Sequence, residues 1–162
     1  MKKAGWSLIL VAVAVLTFAV ITEAQQPGKF LRIGFLDEST ASGSAVLVEA
    51  FRQELSKLGS IEGKNFTIEY RFAEQKPDRL PELTADLVRL KVDLIVATTT
   101  PAALAAKKAT TTIPIVMPNA GDPVAAGLIA SLARPGGNVT GLSSLSTQLS
   151  TKRLEILKDA VP

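Results

Sequence analysis

The groups able to do chemistry in this sequence are few, and they gather at the ends of apolar runs. The chain has 162 residues with no histidine and no cysteine. It therefore offers no imidazole base, no thiolate nucleophile and no zinc site of the usual ligands. What remains are hydroxyls, carboxylates and amines. Thr98, Thr99 and Thr100 close the run "VDLIVA" and are followed at once by Pro101. Asp122 stands between "IPIVMP" and Pro123, and Ser39 and Thr40 follow "FLRIGFL". A capping residue before proline reads as N-cap and N1 of a helix. Thr100 and Asp122 are thus predicted to start helices at Pro101 and Pro123, which run to about Thr110 and Ala133. Two such starts would turn free N–H groups and positive dipole ends toward one rim. That rim can hold a small polar ligand by hydrogen bonds. Amides at the Thr100 helix start suit a ligand carboxylate, and Asp122 suits an amine. Capping alone is an equally good account of Thr100 and Asp122 taken singly.

No base-plus-nucleophile pattern accompanies these residues. G-x-G-x-x-G, G-x-x-x-x-G-K-[ST] and G-x-S-x-G are all absent, which argues against dinucleotide binding, a P-loop and a nucleophile elbow. No cofactor and no metal is called for. The formal net charge is only +3, with one Trp and one Tyr, and no basic stripe is interleaved with aromatics, so no nucleic-acid partner is expected.

The elements that must position the rim alternate between two periodicities. "FLRIGFL" reads as a buried strand. "SAVLVEAFRQELSKLG" places Val48, Phe51, Leu55 and Leu58 on one helical face and stops at Gly59. "FTIEYRF" alternates with period two, as a half-buried edge strand does. "DRLPELTADLVRLK" repeats the helical spacing, with Asp78 as its expected cap and Pro81 in its first turn. "VDLIVAT", "IPIVMP" and "VTGLS" supply three more strands, and Thr147 to Ala160 a last helix carrying Leu149, Ile156 and Leu157. Strands alternating with helices predict an α/β fold: a doubly wound parallel sheet of flavodoxin-like order, covered on both faces. In such a sheet ligands bind outside the carboxyl ends of the strands, which is where the threonines fall.

The first residues read as a targeting segment. Lys2 and Lys3 precede an apolar run that spans 16 residues from Trp6 to Ile21, shorter than the roughly 20 a spanning helix needs. Thr22 and Ala24 fit a signal-peptidase site. Residues 1–24 are therefore expected to be a cleaved signal peptide, 25–29 a short leader, and the mature protein periplasmic. An uncleaved anchor is the competing reading.

Specific wording adds a resemblance. "AFRQELSKLGSIEGKNFTIEYRFAE", "DRLPELTADLVRLKVDLIVA", "TPAALAAKKATTTIPIVM", "GDPVAAGLIASLARPGGNVTGLS" and "KRLEILKDAVP" resemble, in order, the bacterial ABC-transporter substrate-binding proteins related to the tryptophan- and tyrosine-binding type. "SLARPGGNVTGLS" is the most specific part. The resemblance implies a type I periplasmic binding fold, in which two α/β lobes close over a small-molecule ligand and deliver it to an ABC permease in the inner membrane. Its ligands are amino acids, often aromatic, or other small polar compounds. It further implies that residues 30–142 form one lobe, and that 143–162 are the crossover and first helix of a second lobe that this chain lacks. A two-lobed form would be a monomer; a fragment with an uncovered last helix is expected to self-associate or leave that helix mobile. The leading functional expectation is a non-catalytic solute-binding component of an importer. Its rivals are a membrane-anchored ligand-sensing domain and, less favoured, an exported hydrolase.

Overall fold

The computed structural model describes residues 30–144 and 146–160. The signal peptide and leader expected at 1–29 lie outside the described residues, as does the side chain of Leu149. In chain order the elements are β1 (Leu31–Asp37), α1 (Ala45–Lys57), β2 (Phe66–Phe72), a 3₁₀ turn (Pro77–Arg79), α2 (Leu80–Arg89), β3 (Leu94–Ala97), α3 (Thr100–Ala109), β4 (Ile115–Ala120), β5 (Val139–Ser143) and α4 (Ser146–Ala160). The five strands form one sheet in the order β2-β1-β3-β4-β5, and every pairing is parallel. This is the flavodoxin-like doubly wound order expected, with "FTIEYRF" on an edge.

Alternation along β1 divides the core in two. Ile33 and Phe35 join Phe66, Ile68 and Val96 beneath Val48, Phe51 and Leu55 of α1. Phe35 sits against the rings of Phe51, Tyr70 and Phe72 at centroid distances of 6.1, 5.8 and 6.2 Å, a range in which tilted aromatic pairs attract. On the opposite face Leu36 joins Leu80, Leu83 and Leu87 of α2, Ala102, Ala103 and Ala106 of α3, and Ile95, Ile115 and Met117 of the sheet. The three alanines let α3 lie close against its strands, since they carry nothing beyond Cβ.

Helix α1 ends as its sequence demands. Gly59 takes φ +82°, the Gly59 N–H bonds to Ser56 O at 2.9 Å, and the Ser60 N–H bonds to Leu55 O at 2.9 Å. These two bonds make a Schellman motif, which needs a left-handed residue at that position. Leu58 is the cap residue and stands 81% exposed, so it does not share the buried face assigned to it.

Four other expectations are corrected. The helix expected from Pro123 to Ala133 is a single turn followed by bends. Gly127 adopts φ +70° and stops the turn, while Leu128 and Ile129 are buried from the irregular segment. Asp78 lies within the 3₁₀ turn, and no side-chain cap bond closes the start of α2. The cap of α3 is Thr99, one residue earlier than expected, so Thr100 is already helical. The sheet is covered on both faces only around β1 and β3. Pro118, Thr140 and Leu142 remain exposed on β4 and β5, and Leu154, Ile156 and Leu157 of α4 are exposed at 67, 58 and 57%. Lys107, exposed on α3, places its Nζ 2.6 Å from Gly127 O and so ties α3 to that irregular segment.

Candidate functional site

Strand order reverses between β1 and β3, because the chain leaves β1 for β2 on one side and returns to β3 on the other. At such a switch point the connections diverge and leave a crevice outside the carboxyl ends of the strands. A shallow depression of about 290 Å³ lies there, lined by Asp37, Glu38, Ser39, Gln75 and Thr99.

The last residue of β1 organises this edge. Asp37 is 4% exposed. Its Oδ1 accepts the Ser39 N–H at 2.6 Å, and its Oδ2 accepts the Thr98 hydroxyl at 2.8 Å. One carboxylate therefore fixes both the loop after β1 and the residue that follows β3. From the other side the segment after β2 is bonded to the same loop: Ala73 N–H to Asp37 O at 2.9 Å, Gln75 N–H to Glu38 O at 2.8 Å and Glu74 N–H to Ser39 O at 3.1 Å. Glu74 and Gln75 adopt φ of +56° and +58°, the left-handed region that non-glycine residues seldom occupy. Strain of this kind persists where surrounding bonds enforce it, and it concentrates at functional sites.

The six residues singled out in the sequence fall in different places. Ser39 and Thr99 line the depression. Thr98 is directly beneath it, with its hydroxyl on Asp37. Thr99 caps α3: its Oγ1 accepts the Ala102 N–H at 3.3 Å and its carbonyl the Ala103 N–H at 2.9 Å. Since Pro101 has no N–H, the Thr100 amide is the one in that first turn left for a ligand. Thr40 serves its own loop instead. Its Oγ1 accepts the Gly43 N–H at 3.0 Å, and its carbonyl accepts the Ser44 N–H at 3.0 Å ahead of α1. Asp122 follows β4 and is occupied locally, its Oδ1 accepting the Val124 and Ala125 N–H groups at 3.1 and 2.9 Å. Of the two starts with a cap followed by proline expected at this edge, only that of α3 opens a helix. Asp37, Glu38 and Gln75 were not singled out. For Asp37 the signal was a carboxylate directly after the apolar run "IGFL" of β1.

A second concavity, of about 270 Å³, lies between α1 and the start of β2, at the opposite end of the strands. Its polar groups are engaged with one another: Arg52 pairs with Glu62 at 2.9 Å, and Gln53 Nε2 donates to Glu49 Oε1 at 3.1 Å. Near these charges burial, and then the Glu62 carboxylate, push the Tyr70 phenol above its ordinary range. The carboxyl edge is therefore the better candidate, because its groups converge on open space. Among the described residues no cluster of three or more His, Cys, Asp or Glu could hold a metal ion.

Comparison with known proteins agrees with this fold. Residues 41–162 match the family model described as ABC transporter substrate binding protein. The chain belongs to that family. Over 114 residues it is 39% identical to the tyrosine-binding protein of Clostridioides difficile (strain R20291), covering 70% of this chain and 32% of that relative. Among solved structures it is similar to the ligand-free, open form of a substrate binding protein with adhesive properties from Clostridium difficile, with TM-score 0.65, 34% identity, and coverage of 70% of this chain and 38% of the other. It is also similar to the ABC domain from Streptococcus pneumonia in complex with L-Trp, with TM-score 0.64, 29% identity and coverage of 70% and 38%. This member of the family spans about a third of the length of the curated relative it matches.

Proposed function

We propose that the chain is a non-catalytic solute-binding component of an ABC importer, and that it holds a small polar ligand such as an amino acid at the carboxyl edge of its sheet. The observation that carries this reading is the depression at the β1/β3 switch point, lined by Asp37, Ser39 and Thr99, in a chain of this family. Ser39 and Thr99 offer hydroxyls, the Thr100 amide suits a ligand carboxylate, and Asp37 and Glu38 supply negative charge. Relatives whose names or complexes cite tyrosine and L-Trp support an amino acid as the ligand class. Thr98 and Thr40 act as supports for the edge, and Asp122 as a turn former outside the depression. Residues 30–142 make one wall of the cleft, residues 143–162 lead to a second lobe, and the loaded protein passes its ligand to an ABC permease.

A single wall has few contacts, so binding to it is expected near the millimolar range, about −4 kcal/mol. Titration of the isotope-labelled chain with L-tyrosine and L-tryptophan, followed by amide shifts, tests the reading. Export to the periplasm belongs to the same proposal. The mature protein is expected to begin at Gln25, and its intact mass checks this. A membrane-bound species that retains residues 1–24 would favour the anchored sensor instead.

A further inference from the structure

Asp37 is a buried carboxylate whose charge has no cationic partner among the described residues. It is 4% exposed and lines the depression. Both of its hydrogen-bond donors are neutral, the Ser39 N–H and the Thr98 hydroxyl. Among the described residues its carboxylate is in none of the ion pairs that Lys and Arg form. An ionised carboxylate offers about four acceptor sites, so capacity remains at the floor of the depression. Burying such a charge is costly unless a positive group pairs with it. Glu38 lines the same depression and adds a second carboxylate, and none of the lining residues is cationic. Asp122 differs in burial and in place: it is only half-buried, and it is not among the lining residues.

We infer that this depression selects ligands bearing a protonated amine, that Asp37 holds the amine with Glu38 as an outer charge, and that Asp122 takes no part. The inference rests on the carboxyl edge being the ligand site. It makes the amine the group that decides binding, while a ligand carboxylate at the Thr100 amide is secondary.

Three compounds sharing one ring test this on the full chain by amide-shift titration: L-tryptophan, tryptamine, which lacks the carboxylate, and indole-3-propionate, which lacks the amine. The wild type is expected to bind both amines about ten- to hundredfold more tightly than indole-3-propionate, the range for a hydrogen bond to a charged group. Asp37→Asn is expected to abolish that preference. Glu38→Gln, outside the core, is expected to reduce it by about two- to fivefold, as for a half-exposed charge, and it carries the test if Asp37→Asn does not fold. A folded Asp37→Asn protein that keeps the preference overturns the inference. So does an unchanged preference in Glu38→Gln where Asp37→Asn does not fold, or a wild type that binds all three compounds alike. If the wild type binds none of the three, the ligand-site reading itself falls, and this inference falls with it.

Discussion

Replacing Gly141 by alanine is expected to destabilise the fold by about 3–5 kcal/mol. Gly141 lies on β5 with φ +151°, opposite Met117 of β4, beside the register shift between Met117 and Ala120. A Cβ built there would stand 2.0 Å from Met117 O and 2.6 Å from Met117 Cγ. The first of these atoms is backbone and cannot swing aside, so the strands would have to part. Backbone strain of order 1–3 kcal/mol adds to overpacking of similar size. Gly59 is the natural control. It also has positive φ, but nothing lies within 4 Å of its Cβ position, so alanine there should cost only about 1–2 kcal/mol. Denaturant unfolding of the two variants reads the difference. Equal losses would mean that the β4–β5 contact is looser than the geometry states.

Leu87→Ala is expected to cost about 3 kcal/mol, within the usual range for emptying a buried leucine site. Leu87 is fully buried and its methyl groups occupy the space left by Gly34 on β1. It joins α2 to the strand that ends in Asp37. The melting temperature should fall by roughly 10 °C or more for a domain of this size. A loss below about 1 kcal/mol would show that α2 relaxes into the gap and that the core is not closely packed there.

The sheet was legible because its signals are local. "FTIEYRF" alternates and is an edge strand; "ELTADLVRL" has a 3.6 period and is a helix. That the strands are parallel followed from the helices between them, which right-handed crossovers place on the sheet faces. Where reading failed, competing local chemistry was the cause. Residues 123–133 carry helical spacing and a good cap in Asp122, but Gly127 in the left-handed region ends the helix after one turn. Leu58 has the right spacing yet sits at the helix end, beyond the reach of the core.

The site was half legible. Hydroxyls after β1 and β3 pointed to the edge proposed above, and Ser39 and Thr99 do line its depression. Asp37 was missed because a strand-terminal carboxylate looks solvent-facing until burial is known. Gln75 was missed because its conformation is enforced by bonds to Glu38 and Ser39, not by a glycine that sequence could reveal. The helix expected behind Asp122 does not form, and its carboxylate closes a single turn outside the depression.

The most direct test of the ligand site is the amide-shift map of the chain titrated with L-tryptophan. The expected result is shifts that saturate together at Glu38, Ser39, Gln75, Thr99 and Thr100, with little change at Ser56, Ser60 and Ile61 on the opposite edge. Shifts confined to that opposite edge, or none at millimolar ligand, would contradict the assignment of the binding site to the β1/β3 switch point.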